Sequence, residues 1–245
     1  SKYYDFKKLN IRKINKSVKI IKSDNLDKSV QVICSKAIPF KISNKRFIIK
    51  KNIKNKIKKK RILVIGPNSD LGKLIIKSSK SFCKISKFSF RIKKSNKFER
   101  EKIKLKFLNI LKLKKPDYIF YLSSINIFHG TNKNLKLRNL YFEIYSKIFK
   151  IFLDCINSNN LKCSIFYPST FVLNNKKKYK HLDAYISAKI EGEKICKDYS
   201  QKNNIYFPRL PQFKSRSNYN ILGYYEGVDL LKFDFFFNKF ISKNL

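Results

Sequence analysis

Residues 61 to 72 read Arg-Ile-Leu-Val-Ile-Gly-Pro-Asn-Ser-Asp-Leu-Gly. The unbroken apolar run at 62–65 has the length and branched content of a buried strand. Gly66 ends it, a short polar turn follows, and Leu71-Gly72 leads into a helical pattern over 73–80. Strand, tight turn and helix in this order make a βα unit, and such units build parallel sheets. The turn aims backbone N–H groups and a helix N-terminus at one point, which suits a pyrophosphate. Gly66, Asn68, Ser69, Asp70, Leu71 and Gly72 are therefore candidate cofactor-binding residues. The chain has six glycines, and two stand here. An ordinary βα turn without a ligand has the same signature, so this stretch alone leaves both readings open.

The same alternation continues downstream. Residues 87–91, 118–122, 164–167 and 205–210 read as strands. Residues 100–113, 139–157 and 184–201 have helical spacing, and Pro116-Asp117 stops the first of these. The expected fold class is α/β: a doubly wound parallel sheet, Rossmann-like, with helices on both faces, over residues 59–245. Residues 1–58 are expected to form a small β-rich N-terminal appendage, the tail of a preceding domain, with short strands at 18–21, 30–34 and 47–49. The charge run at 51–60 reads as a solvated linker.

Composition narrows the classes. Hydrophobic content of 43% and aromatic content of 15% argue for a folded core. The net charge of +41 favours a polyanionic partner such as nucleic acid or an anionic membrane surface. The lysines, however, are spread along the whole chain beside abundant Asn, Ile, Phe and Tyr. That pattern fits a genome-composition bias that salts solvated faces with lysine, so nucleic acid is not expected as the partner. Five cysteines at wide spacings, no CxxC and two histidines give no zinc pattern, and no metal is expected. Free buried thiols fit a reducing compartment, so a cytoplasmic location is expected. No run of about 18 apolar residues is present, so no membrane span is expected. The N-terminus lacks the apolar core of a signal peptide. The absence of any Met suggests a fragment or a processed product.

Tyr185 and Lys189 form Tyr-x-x-x-Lys. A helix puts both on one face, where an ammonium lowers a phenol's pKa and makes proton transfer feasible near neutral pH. Alone this pair means little, because Tyr3 with Lys7 and Tyr4 with Lys8 match too. Its context gives it weight. Ser169, in Tyr-Pro-Ser-Thr-Phe-Val, ends a strand sixteen residues earlier. Ser123 and Ser124 end another, where small residues let a cofactor approach. These positions and the glycine turn share the carboxyl edge of the sheet, where open α/β sheets take ligands.

With those motifs in place, residues 60 to 213 resemble the short-chain dehydrogenase/reductases, especially the extended epimerase/dehydratase branch and its dTDP-4-dehydrorhamnose reductase group. The turn at 66–72 resembles that family's G-x-x-G-x-x-G. Residues 115–124 resemble its fourth-strand segment, Asn139 the asparagine opening the next long helix, and Arg209-Leu-Pro211 the segment after the sixth strand. The resemblance implies a hydride-transferring oxidoreductase or epimerase/dehydratase acting on a carbonyl or hydroxyl of a small substrate such as a nucleotide sugar. It implies Ser169, Tyr185, Lys189 and Asn139 as catalytic residues. Ser123, Ser124, Lys189 and Pro211 would join the turn in binding NAD or NADP. Arg91, where an acidic residue would hold the ribose of NAD, favours NADP slightly. A homodimer is one assembly consistent with this resemblance. Ser69 stands where the middle glycine belongs, the loop between Ser169 and Tyr185 is short, and few residues follow Pro211. These departures leave two alternatives standing: a catalytically degenerate nucleotide-binding relative and, on charge alone, a basic nucleic-acid-binding protein.

Overall fold

The computed structural model describes residues 46–92, 96–125, 135–214 and 227–243. The strands expected at 18–21 and 30–34 lie outside them. In chain order the described elements are α1 (Lys51–Ile57), β1 (Arg61–Ile65), α2 (Asp70–Ser79), β2 (Lys84–Phe88), α3 (Lys97–Lys114) and β3 (Tyr118–Tyr121). Then follow α4 (Leu135–Phe142), a π turn (Glu143–Lys147), α5 (Ile148–Ser158), β4 (Ser164–Phe166) and β5 (Ser169–Thr170). A 3-10 segment (Phe171–Leu182), α6 (Asp183–Tyr199), β6 (Asn204–Tyr206), β7 (Arg209–Leu210), a second 3-10 turn (Leu230–Lys232) and α7 (Phe233–Ser242) complete the set.

Five strands form one sheet in the order β2-β1-β3-β4-β6, and every pairing is parallel. β5 and β7 pair separately, also in parallel. Because side chains alternate across a strand, β1 feeds two cores. Ile62 and Val64 join α1, α2 and α7 on one face, and Leu63 and Ile65 join α3, α5 and α6 on the other. The sheet is thus covered on both sides, as expected. The direction of winding reverses between β1 and β3, and this switch point is where such sheets open a ligand crevice.

Several local expectations change. The expected linker contains a helix: Ile53 and Ile57, four residues apart, are buried against α7 while the lysines of α1 face water. Residues 47–49 are not a strand, and Phe47 instead packs on Phe233 and Phe237. β2 lies three residues upstream of the expected strand. The chain after β7 returns to the core, and α7 buries Phe233, Phe237, Phe240 and Ile241. α3 ends as expected before Pro116, with Lys115 in the left-handed conformation at φ 39°.

Candidate active site

The turn after β1 is held by two glycines with separate reasons. Gly66 has φ +83°, and a Cβ there would lie 2.6 Å from the Leu122 carbonyl oxygen at the end of β3. Gly72, in the first turn of α2, comes so close that a Cβ would lie 2.5 Å from the Gly66 oxygen. Between them Ser69 has ordinary extended geometry and caps α2. Its hydroxyl donates to the Gly66 carbonyl at 2.8 Å and accepts from the Gly72 N–H at 3.0 Å. The Ser69 side chain is therefore folded into the turn. Asn68 is exposed, Leu71 half-buried, and Asp70 buried in the first turn of α2.

The second half of the site is a stripe along α6. Tyr185, Lys189 and Glu193 are spaced by four residues and so share one face. All three are buried, and each meets the segment 168–170. The Lys189 ammonium donates to the Pro168 carbonyl at 2.7 Å. The Ser169 hydroxyl donates to Glu193 at 2.5 Å, and the Arg209 guanidinium grips the same carboxylate with two donors at 2.9 and 2.8 Å. The Thr170 hydroxyl hydrogen-bonds Tyr185. Consecutive strand residues point to opposite sides, so Ser169 and Thr170 cannot both face the tyrosine. Eight helical residues span about 12 Å, and Ser169 is bound at the Glu193 end.

Burial dominates the electrostatics. It pushes the Tyr185 phenol up to about 12, against a smaller lowering by the Thr170 hydrogen bond. It pulls Lys189 down to about 7, against weaker support from Cys196 and Glu193. A lowering of Tyr185 by Lys189 is expected from the motif, but burial raises the phenol and Lys189 is not among the groups that shift it. Burial also works to raise Glu193, but hydrogen bonds from Arg209 and Ser169 prevail and hold its carboxyl below the ordinary value.

No family model matches the chain, and no curated protein matches it. Solved structures do. The oxidoreductase yciK of E. coli superposes with a TM-score of 0.61 at 9% identity, covering 78% of this chain and 91% of that one. A short chain dehydrogenase from Escherichia coli CFT073, complexed with NADPH, gives 0.55 at 10% identity, covering 66% and 80%. The chain shares its fold with these two proteins. A dTDP-4-dehydrorhamnose reductase from Bacillus anthracis in complex with NADP matches at 17% identity and a TM-score of 0.47, covering 63% of this chain and 54% of that one. The chain spans about half the length of that reductase.

Within this fold the other sequence-derived candidates are placed as follows. Ser123 is half-buried and Ser124 exposed just beyond β3, beside Gly66. Pro211 is half-buried after β7, and Arg91 is exposed beyond β2. Asn139 is exposed on α4 without a hydrogen bond to Tyr185 or Lys189. Tyr141, two residues later, packs edge-on against Tyr185 instead. Sequence reasoning missed Thr170, Tyr145, Glu193 and Gly192. The last carried a signal, since a glycine inside a helix usually marks close packing. A Cβ there would lie 2.1 Å from the Tyr167 hydroxyl. Among the described residues no His, Cys, Asp and Glu cluster could hold a metal, and no helix is long and apolar enough to cross a membrane. Cys83, Cys155, Cys163 and Cys196 are free thiols.

Proposed function

We propose that the chain is an NAD(P)-dependent oxidoreductase or epimerase/dehydratase of the short-chain type. Its proposed substrate is a sugar nucleotide or another small carbonyl compound. One arrangement carries the reading: a buried Tyr185 and Lys189, one helical turn apart, facing strand hydroxyls at the carboxyl edge of a parallel sheet. Two of the three glycine roles in a dinucleotide turn have a geometric counterpart, the tight turn at Gly66 and the close helix–strand packing at Gly72. The residues present therefore fit a nicotinamide dinucleotide. The turn at 66–72 would hold the pyrophosphate, and Arg91 a 2′-phosphate, which favours NADP. Ser123, Ser124, Lys189 and Pro211 would hold the nicotinamide half. When bound, the cofactor would supply or accept the hydride.

The chain's own residues divide the remaining work. Tyr185, pushed up to about 12, is protonated at neutral pH and so is set to donate a proton to a substrate oxygen. That favours the reductive direction. Thr170, which hydrogen-bonds Tyr185, would orient the substrate oxygen. Ser169 is engaged with Glu193 and acts by fixing the strand end against α6. Lys189 places an ammonium behind the tyrosine ring.

A fluorescence titration with NADPH and NADH tests the cofactor, followed by turnover of nucleotide-sugar ketones. Tyr185→Phe should lower turnover by about a hundredfold or more while leaving NADPH affinity nearly unchanged. Undiminished turnover would exclude Tyr185 as the acid. Binding of neither cofactor would favour a second reading, a non-catalytic relative, for which the Ser69 cap on Gly72 is the supporting observation.

A further inference from the structure

Tyr145 belongs to none of the motifs above, yet it touches both the stripe on α6 and the segment after β3. Its ring lies 4.1 Å from the Lys189 ammonium, nearer than the rings of Tyr167 at 4.9 Å and Tyr185 at 5.9 Å. The same ring meets Tyr185 edge-on at 5.6 Å. Its hydroxyl hydrogen-bonds the backbone of Ile125, in the segment that carries Ser123 and Ser124.

The backbone that places Tyr145 is unusual. A π turn spans five residues per hydrogen bond and recurs at functional sites. Here the carbonyls of Ile144 and Tyr145 accept from the hydroxyls of Tyr121 at 3.1 Å and Tyr167 at 2.9 Å. Glu143, 1% exposed, receives two donors from Arg100 on α3 at 2.6 and 3.0 Å. Gly192 lets α6 approach the turn closely enough for the Tyr167 contact. The wide turn is thus fastened from α3, β3, the end of β4 and α6.

We propose that Tyr145 is a positioning residue: its ring fixes the Lys189 ammonium and its hydroxyl holds the segment 123–125. One side chain then registers the Tyr–Lys pair to the cofactor loop. This deepens the proposed oxidoreductase reading and rests on it. A buried ammonium needs compensation, and a ring face supplies it most strongly where water is excluded. The groups facing Lys189 are Tyr145 from the π turn, Tyr167 and the Pro168 carbonyl beyond β4, and Tyr185, Glu193 and Cys196 from α6. Of these, Tyr145 also reaches the segment after β3.

Two replacements in the full chain separate the two contacts. Tyr145→Phe keeps the ring and removes the hydroxyl. A trifluorinated phenylalanine at position 145 keeps the ring's shape but cancels its attraction for cations. Two quantities are read: the Lys189 side-chain carbon titration by NMR, assigned with Lys189→Arg, and NADPH affinity by fluorescence. Tyr145→Phe should leave the Lys189 midpoint in place and weaken NADPH about threefold. The fluorinated ring should weaken NADPH equally and lower the Lys189 midpoint by about one pH unit. An unchanged midpoint with the fluorinated ring, or an unchanged NADPH affinity in Tyr145→Phe, overturns the proposal. A wild-type protein that binds no NADPH overturns the cofactor reading, while the Lys189 midpoints still decide what the ring does.

Discussion

The turn at 66–72 and the stripe on α6 meet at one sheet edge but are held in opposite ways. The turn closes on itself. Ser69 bonds Gly66 and Gly72, each three residues away, and both glycines are required by backbone contact. The stripe is held from outside, with Lys189 on Pro168, 21 residues away, and Glu193 on Ser169, 24 residues away. The turn is thus a local backbone device, and the stripe is a set of buried polar side chains that depends on distant partners. A change in the turn should cost stability at all pH values, whereas a change in the stripe should cost stability in a pH-dependent way.

The largest effect is expected at Gly66. Gly66→Ala combines a positive φ with backbone overlap and should lose about 3 kcal/mol by urea unfolding. Gly192→Ala, on the stripe side, meets chiefly a side chain, so about 2 kcal/mol is expected, partly recovered by Tyr167→Phe. A neutral Gly66→Ala would mean that the turn is built differently.

Next comes the pH test of the stripe. Lys189 titrates near 7 folded and near 10.4 unfolded, so between these values the unfolded chain binds more protons. Stability therefore rises with pH across that window. Relative to Lys189→Met, the wild type should gain about 2 kcal/mol between pH 7 and pH 9. A flat difference would mean that Lys189 is not desolvated.

The smallest effect belongs to Ser69. Ser69→Ala should cost about 1 kcal/mol as a lost helix cap, and Ser69→Gly a few tenths. Ser69→Gly should also free the Gly72 N–H and bind NADPH as tightly as wild type or more tightly. Weaker binding would make the hydroxyl a ligand contact and not a competitor.

The same contrast explains what the sequence could convey. β1, its turn, β3 and their order were legible because each is written in a few consecutive residues. The helix α1 was not, since only Ile53 and Ile57 mark its buried side within a lysine-rich run. β2 was misplaced because it is an edge strand of mixed polarity. Ser169 and Thr170 are two hydroxyls one residue apart, and their different partners, Glu193 and Tyr185, are not written in the local sequence. Only the Glu193–Arg209 pair, met in three dimensions, separates them. The π turn that places Tyr145 leaves no mark in local composition.

The position of α7 has a consequence for biosynthesis. Phe237 stacks on Phe120 of β3, and Phe240 lies edge-on to Phe120 and Phe166 of β4. A ribosome releases those strands long before it reaches α7, so the nascent chain carries a bare aromatic sheet face through the intervening synthesis. That half of the core closes only when a late-made helix docks beside an early-made one. Its assembly is therefore slow by topology, and a holdase that shields aromatic surface should raise the yield of folded chain.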